Sequence, residues 1–546
     1  MMRTRKAAWL AAAVFLSLAP LTLGACGGGN GKVGGSMTIL QTSFPDALDP
    51  ALSYGAEGWQ PLSQAYPGLL TYPHASGAAG AKVVPGLARS LPRISKDGLT
   101  YSLRLRKNLN FSDGQSIRAS DFKASIERVI ATDSPGSSLG YLNIAGAEQF
   151  AKTKKGGISG IVVNDATGDI TIKLVKPRGP FVYELGIPFA GVVPKGTAPS
   201  SQTDHPPPGA GRYVIKDVVA NRSYVLVKNP RFSPGLRGTP VDVGKIDRIN
   251  VKIVSSPATQ VTELEQNRAD FLFDNPAGDR VGEVRRRYKS RYREFPTTST
   301  FYFFMNASVP PFDKLEVRQA VNYALDFNAI NRTEDGFVEP THNILPRQVP
   351  GYEPSPTLYA GPNLSKARQL IKQAGAAGAK VTVWSTDADP APRTMAYYQD
   401  VLNELGFKTK LKTIVGSTYF KTVGDRSVKA QTGWANFIAD YPHPADFLDV
   451  PLNPDNIKPT DNNNLSYNVS DRGYAARVSA LAQQQLTPKT EQEWAALDRY
   501  VQQQAYWAVY GTRKQSTFFS TRMNFAHCKG DDWPLATHDW ARFCLK

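Results

Sequence analysis

Cysteine is nearly absent. There are three in 546 residues: Cys26, Cys528 and Cys544. That excludes a disulfide-dense scaffold and any cysteine-built zinc or iron–sulfur site. Histidine is almost as sparse, and none of His74, His205, His342, His443, His527 and His538 are paired at ligand spacing. A transition-metal centre, nickel or a nickel chelate included, finds few ligands here. No His-Glu-x-x-His, Cys-x-x-Cys or Gly-x-x-x-x-Gly-Lys occurs, so neither a metalloprotease helix nor a phosphate loop is encoded. Gly136-Ser137-Ser138-Leu139-Gly140 matches Gly-x-Ser-x-Gly. A nucleophile elbow needs a strand before it and a helix after it, whereas this one follows a helical pattern and Pro135. It reads as a loop, and no enzyme is expected. Past Leu23 no apolar run is long enough to span a bilayer.

What is present begins at the N-terminus. Arg3, Arg5 and Lys6 precede an apolar run from Ala7 to Leu23, and Leu23-Gly24-Ala25-Cys26 closes it. A basic start, a short apolar core and small residues form an export signal. The closing tetrapeptide resembles the bacterial lipobox. That resemblance implies that residues 1–25 are a signal peptide and that Cys26 is lipidated on its sulfur. Residues 26–36, rich in glycine, then read as a flexible tether. Two acyl chains hold a protein stably at a bilayer. The expected location is the extracytoplasmic face of a cell membrane, at the surface or in a periplasm, with lipid as the only anchor. In that oxidising setting Cys528 and Cys544 read as a disulfide, the alternative being two unrelated buried thiols.

Roughly 520 residues remain after such a cut, too many for one compact core, so at least two lobes are expected. The chain is basic, with 64 Lys and Arg against 47 Asp and Glu. An exported address argues against nucleic acid and for a body held over an anionic envelope. The densest run, Arg285 to Arg293, reads as a solvated face.

Strand and helix patterns alternate. Leu99, Tyr101, Leu103 and Leu105 are spaced by two, as are Ile170, Ile172 and Leu174, and Tyr224–Val227 is a short apolar strand. Ser120 is the expected cap of a helix carrying Phe122, Ile126, Val129 and Ile130. Further helical faces run through Val317–Leu325, Tyr398–Leu405 with Gly406 as the stop, and Val478–Ala482. Breaks fall at 206–211, 230–238 and 350–362. The pattern is that of an α/β or α+β protein of several lobes.

Several segments together resemble family 5 extracellular solute-binding proteins, the peptide and nickel binding proteins of ABC importers. Leu87-Ala88, Asp97-Gly98-Leu99-Thr100-Tyr101, Leu103-Arg104, Phe111-Ser112-Asp113-Gly114, Ala119-Ser120-Asp121-Phe122 and Arg128 follow the family signature in order. Leu48-Asp49-Pro50, Gly209-Ala210-Gly211-Arg212-Tyr213, Asn229-Pro230 and Asp440-Tyr441-Pro442-His443-Pro444 agree. Much of this is scaffold chemistry: aspartate-glycine turns, a helix start, a glycine-permitted turn. The resemblance implies a two-lobed periplasmic-binding-protein-like α/β fold of type II, large class, with a central cleft and a two-strand hinge. Lobe I would comprise 37–75, 185–300 and 505–546, with an inserted subdomain at 76–184, and lobe II 301–504. It implies a monomer that binds short peptides and delivers them to an ABC permease, without cofactor.

Asp440 is the leading site candidate, as counter-charge to a peptide α-amino group, since a buried ammonium needs a partner. The plain alternative is a turn aspartate before Pro442. The family's aromatic wall corresponds either to Trp434 or to Phe437. Ser53-Tyr54-Gly55-Ala56-Glu57 occupies the place of a loop to which an extended peptide adds as a strand, or else is ordinary surface. Sugar or another neutral solute is the rival cargo, with Trp59, Tyr66, Trp384 and Tyr419 as stacking platforms.

Overall fold

The computed structural model describes residues 31–546 except 74, 76, 356–357, 529–530 and 534–535. The signal segment and Cys26 lie outside the described residues. No helix among the described residues is long and apolar enough to cross a membrane.

Three sheets organise the chain. The first has the order Phe271–Leu272, Ser36–Gln41, Arg248–Ile253, Ser223–Lys228, Tyr213–Val219. Ser36–Gln41 runs parallel to both neighbours, and the last two strands form an antiparallel hairpin. Met37, Ile39, Tyr224, Ile249 and Val251 are fully buried there. The second is a four-stranded antiparallel sheet, Arg93–Ile94, Thr100–Arg104, Asp169–Lys173, Ile161–Asn164. The predicted alternation holds in it. Tyr101 and Leu103 face Ile170 and Ile172 across the ladder and all four are buried. Helix Ala119–Ala131 covers this sheet with Phe122, Ile126, Val129 and Ile130.

That helix starts two residues earlier than expected, with Arg118 at the cap position. Ser120 is not its cap, because its N–H and hydroxyl both donate to Asp165 (2.8 Å each). The Asp121 carboxylate instead reaches back to the N–H of Arg118 (2.7 Å), satisfying a donor the helix leaves unpaired.

The third sheet has seven strands. Its main path is Tyr292–Pro296, Trp507–Phe518, Ser299–Met305, Thr432–Ile438, Lys380–Thr386, Lys408–Ile414, with Val338–Glu339 added on Trp507–Phe518. Helices Leu315–Ala324 and Ala391–Glu404 pack on it, and Gly406 ends the latter at φ +93°. Two chain segments link this sheet to the first. One enters through Tyr292–Pro296. The other leaves through Trp507–Phe518, whose next residue, Phe519, bridges Phe271. These are the two crossing strands of a periplasmic-binding-protein fold.

Residues that carried the sequence resemblance hold the frame together. Arg128 and Asp49, 79 positions apart, form a bidentate ion pair at 2.7 and 2.6 Å. Gly211 lies against the carbonyl of Gln64, where a Cβ would sit 2.3 Å from that oxygen. Cys528 and Cys544 are joined as a disulfide, and the backbone of Gly31 rests directly on it. The basic run is a solvated face in part. Arg285 donates to Glu294 (2.6 Å), Arg287 to Glu283 (3.2 Å), and Arg291 lies over Tyr288 and donates to the Phe519 carbonyl. Arg286, Arg287, Lys289 and Ser290 stand exposed. The rest serve to join the strand Tyr292–Pro296 to its surroundings.

Candidate ligand cleft

Three parallel strands of the third sheet, Lys380–Thr386, Lys408–Ile414 and Thr432–Ile438, end on the same side. Open α/β sheets bind ligands beyond such carboxyl ends. Asp440 stands two residues past Ile438, followed by Pro442 and Pro444, which fix the turn into the short helix Pro444–Leu448. His443 caps that helix, its Nδ1 accepting the N–H of Ala445 (3.1 Å). Asp446, in the first turn, accepts the N–H of Asp440 (2.8 Å) and of Tyr441 (3.4 Å) through one oxygen, Oδ2. Its other oxygen, Oδ1, is buried without a hydrogen bond.

From the opposite side comes Tyr54. Its hydroxyl donates to Asp440 Oδ2 at 2.9 Å, a contact spanning 386 residues. The ring leans on Trp59 and Phe189. Asp46 anchors the loop, accepting the N–H of Tyr54 (2.6 Å) and Gly55 (3.0 Å) and the hydroxyl of Ser53. Those N–H groups are therefore occupied. Ala56 and Glu57 already belong to helix Ala56–Ala65, with Gly55 as its cap. The segment is a braced turn, not a free strand edge, because Asp46 satisfies the donors that an added strand would use. Glu57 accepts from Ser43 (3.3 Å), and burial raises its carboxyl above the ordinary range.

Charge around Asp440 is unbalanced. Glu184 is completely buried and accepts from Arg178 (2.8 Å), the guanidinium of the cluster. Tyr441 reaches the same guanidinium at 3.5 Å. Arg178 is committed to Glu184, while Asp440 and Asp446, both buried, feel the charge of Glu184 and take no hydrogen bond from the arginine. Burial, with Glu184 nearby and the Tyr54 hydrogen bond opposing, pushes Asp440 up to about 7. Burial and then the charge of Asp440 hold Asp446 well above its ordinary value. His443 adds no positive charge, since burial lowers it to about 3.

Trp434 and Phe437 lie on opposite faces of their strand. Trp434 meets Phe301 and the half-exposed Phe420. Phe437 packs on Phe447, in the helix that follows Asp440. The aromatics named as sugar platforms are not available as such. Trp59, Tyr66, Trp384 and Tyr419 are all buried, and Tyr419 spends its hydroxyl on the Trp434 carbonyl (2.7 Å). The Gly136–Gly140 segment is a 3-10 turn in which the Ser137 hydroxyl donates to Val129, with no strand leading into it. Among the described residues no group of three or more His, Cys, Asp or Glu is placed to hold a metal.

Sequence reasoning brought Asp440 and Tyr54 forward separately, and the fold unites them. It missed Asp446, Glu184 and Arg178. Asp446 stands six residues past Asp440 and had a signal in the helix-start pattern after His443. Glu184 and Arg178 had none, because only the tertiary fold brings them there.

A fold of this kind, with its cleft beyond the strand ends, defines an extracytoplasmic binding protein. Residues 82–459 match the family described as "Bacterial extracellular solute-binding proteins, family 5 Middle", and the chain belongs to it. It is a family of binding proteins, not enzymes. The chain is 24% identical over 423 residues to the "Probable D,D-dipeptide-binding periplasmic protein DdpA" of Escherichia coli (strain K12), covering 76% of each. It is 26% identical over 357 residues to the "Glutathione-binding protein GsiB" of Salmonella typhimurium, covering 63% of this chain and 64% of that one. Among solved structures, "Clavulanic acid biosynthesis oligopeptide binding protein 2" superposes with a TM-score of 0.83 at 21% identity, covering 94% of this chain and 96% of that one. The DppA binding protein from Helicobacter pylori in complex with peptide STSA gives 0.74 at 20% identity, with 94% and 98% covered.

Proposed function

We propose that this protein captures short peptides by their free α-amino group and hands them to an ABC permease. Asp440 carries the reading. It is a buried carboxylate in a cluster with excess negative charge, fixed from across the cleft by Tyr54. A cluster of that kind is stabilised by a cation, and a peptide ammonium supplies one. The two curated relatives, which are named for a dipeptide and for glutathione, support the same cargo class. Phe437 and Trp434 furnish apolar walls on either face of their strand. The lobe limits in this reading are 37–75 with 185–300 and 505–546 for lobe I, with an inserted 76–184, and 301–504 for lobe II; Tyr292–Pro296 and Trp507–Phe518, which pair into the third sheet, fall in the lobe I ranges. Lipidation at Cys26 would hold the monomer at the membrane.

Calorimetry with free and N-acetylated alanine peptides tests the reading. Acetylation removes the ammonium, and Asp440→Ala removes its partner. Each is expected to weaken binding by about 3–5 kcal/mol, two to three decades or more. The variant should still fold, with a cooperative thermal transition no lower than that of the wild type. Equal affinity for both peptides, undiminished in the variant, would sink the ammonium role.

A further inference from the structure

The cluster behind Asp440 holds more acid than the arginine can neutralise, and one of its oxygens has no hydrogen-bond partner. Asp446 is wholly buried. Its Oδ2 accepts both available backbone donors, from Asp440 and Tyr441, and its Oδ1 accepts from neither. A carboxylate with one naked buried oxygen, beside a second carboxylate, is a costly arrangement. A proton relieves it, as in any close carboxyl pair.

The neighbours do not supply that relief. From the loop before helix Ala56–Ala65 comes the Tyr54 hydroxyl, committed to Asp440. From the segment around 178–184 come Arg178 and Glu184, committed to each other. Tyr72 faces Asp446 but donates its hydroxyl proton to the Tyr183 carbonyl. On the cluster's own segment, Tyr441 turns to Arg178, His443 is neutral, and Asp449 adds a further acid held by Asn453. Burial accordingly raises Asp440, Asp446, Glu184 and Asp449 alike.

We propose that Asp440 and Asp446 share one proton in the empty cleft, and that the ammonium of the cargo displaces it to solvent. Asp446 is thus a positioning residue: it orients Asp440 through the backbone and sets the proton affinity of the pair. The balance is simple. The protonated pair and an alkylammonium combine, the ammonium keeps its own protons, and the carboxyl proton leaves to water. Cargo capture is then proton-coupled. Affinity rises with pH through the titration of the pair, until the peptide amine itself loses its proton near 8.

This rests on the peptide reading, and one experiment separates the two. Alanine di- to pentapeptides are titrated calorimetrically into the mature protein at pH 6.5 in buffers of differing ionisation enthalpy. The expected result is release of roughly half to one proton per peptide, with affinity falling up to tenfold per pH unit toward pH 5. Asp446→Asn keeps an oxygen to accept from Asp440 and Tyr441 but removes the second carboxylate. It should release fewer protons than the wild type and bind with a weaker pH dependence, the remainder coming from Asp440, which burial and Glu184 still raise. Tight binding with the same heat in every buffer overturns the proposal and leaves the peptide reading intact. So does unchanged proton release in Asp446→Asn. Failure of every free peptide to bind the wild type overturns both.

Discussion

Two places in this molecule bury charge, and they do it differently. Around Arg128 and Asp49 every group is matched. The guanidinium gives two hydrogen bonds to the carboxylate, one each to the carbonyls of Ala198 and Ser200, and Asp49 takes the N–H groups of Ala51 and Gln202 as well. Around Asp440 the matching fails: Asp440 and Asp446 are buried together, Arg178 is committed to Glu184, and Asp446 keeps a naked oxygen. The first arrangement is closed and can only hold parts together. The second is open to a cation. A buried charge marks a site when its partners are insufficient, and marks scaffold when they are complete.

Breaking the closed pair should have the largest effect. Arg128→Ala leaves Asp49 buried and unmatched, a loss of about 3–5 kcal/mol in unfolding free energy by urea titration. Arg128→Met combined with Asp49→Leu should recover most of it, because neither charge then remains. A small loss in the single variant would show that the pair is not what locks the helix Ala119–Ala131 to the N-terminal loop.

The open cluster responds with the opposite sign. Asp440 is raised toward 7 by burial, so the folded protein keeps a proton that the unfolded chain releases at about pH 4. Stability of the empty protein from this group is therefore lost as pH rises from about 4 to about 7. Asp440→Asn removes that term. The variant should match the wild type near pH 4 and exceed it by something on the order of 4 kcal/mol at pH 8. Comparing the two proteins at each pH cancels the buried His443 and His538, which act the other way because both are held neutral in the fold. A difference that does not change with pH would show that Asp440 is ionised throughout.

Tyr54→Phe gives the smallest effect and the sharpest location. It deletes one hydrogen bond across the cleft and no packing. Peptide affinity should change by about 0.5–1.5 kcal/mol, a few-fold, with stability unmoved. A change in unfolding free energy of the same size would place Tyr54 with the scaffold.

The closed pair was legible in the chain and the open cluster only half so. Asp49 and Arg128 both stood in the family pattern, although nothing in their spacing says that they meet. Period-two and helical spacing located Thr100–Arg104, Asp169–Lys173 and Ala391–Glu404, since burial of one face leaves its period in the sequence. The start of helix Ala119–Ala131 was misplaced because local cap chemistry cannot foresee that Asp165, 45 residues away, takes Ser120. The run 285–293 is exposed at Arg286, Arg287, Lys289 and Ser290, and its acidic partners Glu283 and Glu294 flank it in the sequence; what the sequence did not show is that Arg291 reaches the carbonyl of Phe519, 228 residues away. Asp440 was visible through its flanking tyrosine and prolines. Glu184 and Arg178 were not, because nothing local distinguishes a buried ion pair from a surface one.

The seat of the disulfide sets how the molecule bears a pull. Gly31 lies on Cys544, Lys32 bonds to Leu545, and the N–H of Lys546 donates to Arg522, so both ends of the described chain are fastened at one spot. That spot belongs to the body built on the first sheet. A pull applied at Gly31 would enter that body first, next to the disulfide. The half carrying Asp440 has no such fastening to the described N-terminus.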